Sequence, residues 1–138
     1  MVSKSKIKVR YAETDQMGVV HHSNYAVWYE LARTDYIETL GITYKAMEEV
    51  GLLVPIINLQ SKYIKPAFYD NTLIIETRIK KLLKVKIEFE YKIYREGEEQ
   101  PINTATTVHA FVNKALKPIN LKKESPTIYT KLEQSLEY

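Results

Sequence analysis

No cysteine occurs anywhere in the 138 residues, which removes disulfides, thiolate metal ligands and a cysteine nucleophile together. Glycine is scarce, four in all, so there is no room for a glycine-rich phosphate loop. No run approaches the ~20 apolar residues of a membrane-spanning helix. The first residues, MVSKSKIKVRYAE, carry lysines without the apolar core of a secretory leader. G-x-S-x-G is missing, which excludes the nucleophile elbow of an α/β-hydrolase. The three histidines never fall in an H-x-x-x-H pair, so no metal site is expected. The net charge of +3 is too small to suggest a nucleic-acid partner. These absences point to a cytoplasmic protein that inserts in no membrane, in one domain spanning 1–138.

What is present has a clear period. IKVRYAE (7–13) alternates Ile7, Val9 and Tyr11 with other residues, predicting a half-buried strand. From Ser23 the spacing changes: Tyr25, Trp28, Tyr29, Ala32, Tyr36 and Leu40 recur three or four apart. That predicts an amphipathic helix of roughly four turns, with Ser23 as N-cap and Gly41 as its stop. Leu31 and Ile37 lie off the main stripe, so more than one face is expected to be buried. ITYKAMEEVG (42–51) reads as a short second helix.

From there to about residue 113 the chain reads as extended. Val85, Ile87, Phe89, Tyr91 and Ile93 share one face of a strand, REGEEQ reads as a hairpin turn, and INTATTVHAFVN is the last strand. A tail helix with Pro126 in its first turn closes the chain. One strand, a long helix, then four strands on short connections predict an α+β layer with an antiparallel sheet of about five strands.

Chemistry concentrates before the long helix. Asp15 sits on a loop, Gly18 permits a sharp turn and close approach of a ligand, and a helix N-terminus offers unpaired N–H groups to a developing oxyanion. A carboxylate beside such donors suits acyl transfer. The residues alone equally allow Asp15 to hold its own loop in an Asx turn. His109, alone on a strand, reads as a hydrogen-bonded structural histidine. The lysine clusters KKLLKVK and KALKPINLKK read as solvated faces or as landing places for a phosphate-bearing ligand.

The stretch KVRYAETDQMGVVHHSNYAVWYELARTDYI, through Thr14, Asp15, Gly18, Val19, Val20, His22, Ser23, Asn24 and Tyr25, resembles the signature of the 4-hydroxybenzoyl-CoA thioesterase family and its YbgC-like acyl-CoA thioesterases. YIKPAFYDNTLIIET (63–77) resembles that family's Y-x-K-P-A-x-x-x-D-x-L segment. The resemblance implies a hotdog fold, a long helix wrapped by a curved antiparallel sheet. It implies an acyl-CoA thioester hydrolase with Asp15 as nucleophile or general base and the His22 backbone N–H in the oxyanion hole. Gly18, Val20, Tyr25 and Tyr63 would contact substrate, and Lys80, Lys81 and Lys84 are candidates for the coenzyme A phosphates. No cofactor is implied, since coenzyme A is part of the substrate. Homo-oligomers are implied, a tetramer favoured over a dimer. A non-catalytic acyl-CoA-binding hotdog protein is the alternative.

Overall fold

The computed structural model describes residues 1–136; the last two residues of the expected tail helix lie outside them. Five strands form one antiparallel sheet: β1 (Ser3–Lys8), β2 (Ile56–Tyr63), β3 (Thr72–Leu82), β4 (Lys86–Arg95) and β5 (Asn103–Ala110). Their spatial order is β1-β3-β4-β5-β2. The long helix α1 (Ser23–Thr39) follows β1, and the short α2 (Tyr44–Glu49) precedes β2. After β5 come a single turn of helix, α3 (Leu121–Glu124), which the sequence pattern did not predict, and α4 (Pro126–Ser135) with proline in its first turn. A long helix against a single antiparallel sheet is the hotdog arrangement.

Patterning explains the layers. On β4, Ile87, Phe89, Tyr91 and Ile93 are buried while Val85, just before the strand, is exposed. The same alternation on β3 buries Leu73, Ile75, Thr77 and Ile79. From α1, Tyr25, Trp28, Tyr29, Ala32 and Tyr36 enter the core, and burying each large side chain contributes about 1.5–3 kcal/mol. The aromatic stripe is therefore mostly core. Leu31 departs from expectation: it stays exposed, and Ile37 is only half-buried.

Two helix ends show how local chemistry overrides simple preference. Ser23 is not the N-cap of α1. His22 holds that position, in helical conformation and without a side-chain cap bond, because the His21 ring takes over the role. Its Nδ1 accepts the Ser23 N–H at 3.2 Å. At the other end Gly41 has φ +78, the left-handed conformation that closes a helix at low cost when no Cβ is present.

The edge strand β2 is unusual. Nearly all its residues are exposed, Ile56, Ile57, Leu59 and Tyr63 among them. Only one side of this strand has a neighbour, β5. No described helix is long and apolar enough to cross a membrane.

Candidate active site

The loop between β1 and α1 is built around one buried carboxylate, Glu13. One of its oxygens accepts the Arg10 N–H at 2.8 Å and the other accepts the Trp28 indole N–H at 2.9 Å. Its backbone carbonyl accepts the His21 N–H at 2.9 Å and the Asn24 side-chain amide at 2.9 Å. Both ends of the intervening loop are thus joined at one residue. Two charge-assisted bonds offset the cost of burying Glu13.

Within this frame the chain reverses. The Gly18 N–H donates to the Asp15 carbonyl at 3.0 Å, and the Asp15 N–H donates to the Val19 carbonyl at 2.8 Å. Gly18 has φ +80, as a turn of this shape requires. A Cβ at Gly18 would meet nothing within 4 Å, so its outer side is open. The Val20 N–H then donates to the Ala67 carbonyl at 2.9 Å, tying the loop to the segment between β2 and β3.

Asp15, Val20, His22, Tyr25 and Tyr63 line one cavity of about 330 Å³, together with Met17, Val19, Ile64, Lys65 and Pro66. The Asp15 Oδ1 accepts the Met17 N–H at 2.8 Å, which is the Asx-turn bond the loop composition allows. Its Oδ2 has no partner among the described residues. The His22 N–H likewise has no hydrogen-bond partner among them. Its imidazole is exposed and stacks on His21, centroids 4.2 Å apart. On a strand these two rings would diverge; the turn into α1 brings them together. Tyr25 is buried and meets the half-exposed ring of Tyr63 edge-on at 5.0 Å. Burial pushes the Tyr25 and Tyr29 hydroxyls above the usual phenol range, so both remain neutral.

Lys80, Lys81 and Lys84 lie elsewhere in the protomer. Val9 and the residues just before β3 pair beside the Asp15 loop, whereas Lys80 and Lys81 occupy the opposite end of β3, about 30 Å along the strand at ~3.3 Å per residue, and Lys84 the turn that follows it. There the second lysine-rich segment joins them, the Leu121 N–H donating to the Lys84 carbonyl at 2.8 Å. The basic residue at the Asp15 cavity is Lys65. Periodicity could not single it out, although it stands inside the YIKPA segment that carries the family resemblance.

A model described as the thioesterase superfamily matches residues 17–102. The chain belongs to the thioesterase superfamily. This thioesterase chain is 42% identical over 135 residues to YneP of Bacillus subtilis, covering 97% of each chain. It is 32% identical over 120 residues to the acyl-CoA thioesterase YbgC of Haemophilus influenzae, covering 86% of this chain and 87% of that one. A solved DHNA-CoA thioesterase from Staphylococcus aureus superposes with a TM-score of 0.92 at 34% identity, over 99% of this chain and 91% of that one. The thioesterase-superfamily protein is accordingly a thioester hydrolase with a hotdog fold.

Proposed function

We propose that the protein hydrolyses an acyl-CoA, releasing the free acid and coenzyme A without a cofactor, with Asp15 and the His22 N–H acting on the thioester. The observation that carries this reading is that two residues lining one cavity, Asp15 and His22, keep an unpartnered carboxylate oxygen and an unpartnered backbone N–H among the described residues. The naming of YbgC as an acyl-CoA thioesterase supports the substrate class.

The His22 N–H polarises the acyl carbonyl and stabilises the oxyanion that forms when the carbonyl carbon is attacked. Asp15 either attacks that carbon itself or removes a proton from an attacking water. Coenzyme A leaves as a thiolate, and because an ordinary thiol has a pKa of about 8.5 its departure needs no strong acid. On the nucleophile route an aspartyl anhydride forms and water then cleaves it. Val20, Tyr25 and Tyr63 line the space for the acyl group, and Gly18, outside that lining, turns the chain beside it. Lys65 is the nearest candidate for a coenzyme A phosphate within the protomer, while Lys80, Lys81 and Lys84 would serve only a ligand bound across a subunit boundary.

Such a boundary is supported by β2. Its bare edge and exposed Ile57, Leu59 and Tyr63 suit pairing with the same strand of a second copy. Tyr63 and Ile64 also line the Asp15 cavity, so pairing there would bring partner residues to its mouth. Val27 and Leu31 leave a second apolar patch on α1, which favours a tetramer over a dimer.

The Met17–Asp15 bond favours a second reading, acyl-CoA binding without hydrolysis. Thiol release from a panel of acyl-CoAs by wild type and Asp15→Asn decides between the two. Hydrolysis predicts release by wild type and its near-loss in the variant; equal, negligible release with retained binding would establish the second reading. Single-turnover reaction in 18O-water labels Asp15 only on the nucleophile route.

A further inference from the structure

A second cavity, of about 280 Å³, lies between α1, α2, α4 and the sheet. Ile42, Leu52, Ile87, Phe89, Phe111 and Leu132 wall it, and each is at most 4% exposed. The cavity opens to solvent between Tyr44 of α2 and the exposed Glu30 and Glu38 of α1, so it is a cleft that reaches core side chains, and its volume is of the order of one small ligand.

Its roof is α2, which contributes no buried residue. Tyr44 and Met47 face the cavity from α2. Gly41 and Gly51 flank the helix with φ +78 and +67, so the roof is joined to the body through two left-handed turns. Only Ala46 and Met47 of α2 are even half-buried, Met47 packing against the core, and a helix held by so few contacts suits a cover that admits a ligand.

One polar feature gives the cavity a direction. Arg33 lines it, half-buried, and forms no ion pair among the described residues. Its guanidinium donates to the Tyr91 hydroxyl at 3.1 Å, leaving further N–H donors. Glu30 and Glu38 also line the cavity, but on its exposed rim, where water screens them. The remaining titratable lining groups are Tyr44, exposed on α2, and His109, which has both ring nitrogens bonded within the protein.

We propose that this cavity binds a free medium-chain carboxylic acid, its chain among the apolar walls and its carboxylate on Arg33. The identification of the natural ligand as the acid released by thioester hydrolysis rests on the function proposed above; the site itself does not. Tyr29, hydrogen-bonded to Ser61 and Asn103 and stacked on Tyr91 at 4.8 Å, falls between Tyr25 and Arg33 along α1, and this cavity shares no lining residue with the Asp15 cavity.

Octanoate, with ten non-hydrogen atoms, is the probe, and 1-octanol is its neutral counterpart. Calorimetric titration is expected to show one saturable octanoate site per chain, equal in wild type and Asp15→Asn. Met47→Trp, which fills the space from a helix with no buried residue, is expected to weaken octanoate at least tenfold and leave thiol release unchanged. Arg33→Met is expected to weaken octanoate about tenfold and leave 1-octanol unaffected. Absence of saturable octanoate binding to wild type, or binding unchanged in both variants, overturns the proposal. Binding that persists in a protein found to release no thiol would count against hydrolysis and not against this site.

Discussion

The Met17 N–H donates to Asp15 Oδ1 at 2.8 Å while Asp15 Oδ2 is left without a partner among the described residues. One oxygen shapes the loop and the other is available to substrate. Asparagine keeps the accepting oxygen and loses the charge. Asp15→Asn is therefore expected to melt within about 0.5 kcal/mol of wild type while thiol release falls at least about 100-fold. Asp15→Ala, which loses both, should also lower stability by about 1 kcal/mol. Paired urea melts and thiol assays check this.

At His22 the backbone, and not the ring, is expected to matter. Its φ of −57 is one that proline adopts without strain, and its N–H has no partner to lose. His22→Pro is expected to cut kcat by about 100- to 1000-fold, the usual cost of removing an oxyanion donor. His22→Ala, which keeps the N–H, is expected to stay within a few-fold. Equal losses in the two variants would return the role to the imidazole.

Glu13→Gln places an amide N–H2 against one of two N–H donors. Each charge-assisted bond lost, with a buried donor left unsatisfied, costs about 1–3 kcal/mol. The variant is expected to lose stability in that range and to lose activity too, because the same residue ties down both ends of the Asp15 loop.

His109 imposes a pH dependence. The Val54 carbonyl only accepts, so Nδ1 carries the proton that donates to it at 3.0 Å, and Nε2 accepts from the Thr107 hydroxyl at 2.8 Å. Thr107 in turn accepts from Tyr91, which accepts from Arg33. This ordered chain needs a neutral ring, and burial, aided by the Arg33 charge, pushes His109 down to about 4. The unfolded chain takes up that proton near pH 6.5, so unfolding binds a proton between the two values. The stabilisation is complete above pH 6.5 and is lost as pH falls toward 4, by about 3 kcal/mol in all. Denaturant melts across that window, with His109→Gln showing a flatter slope, measure it.

If β2 is a subunit edge, paired substitutions Ile57→Lys and Leu59→Lys should abolish association, since like charges would face each other across the strands. Sedimentation velocity at micromolar concentration is expected to show an oligomer for wild type and a monomer for the variant. A monomeric wild type would refute the edge-pairing model.

Strands β3, β4 and β5 and helix α1 were legible because alternation on β4 and the three-to-four spacing from Tyr25 to Tyr36 record directly which side faces the core. The first strand was misplaced, since it spans Ser3–Lys8 and Tyr11, expected on it, is exposed in a tight helical turn at Tyr11–Glu13. The Asp15 loop was legible too, as a motif of a carboxylate, a turn glycine and a helix start. Exposure of β2 was not, because apolar residues at an unpaired edge read like those of a buried strand. The N-cap was misjudged at Ser23 since preference tables carry no signal for a histidine ring one step earlier. Separation of Lys80, Lys81 and Lys84 from Asp15 follows from strand direction and register, which are set by contacts distant in sequence.

Trp28 is the only tryptophan in the chain, and its indole N–H is bonded to the carboxylate that anchors the Asp15 loop. Excited at wavelengths that tyrosine does not absorb, the protein therefore emits from a single indole, whose carboxylate neighbour is the anchor of that loop. Without any label, its wavelength and lifetime report loop opening, ligand arrival and unfolding as separable optical signals.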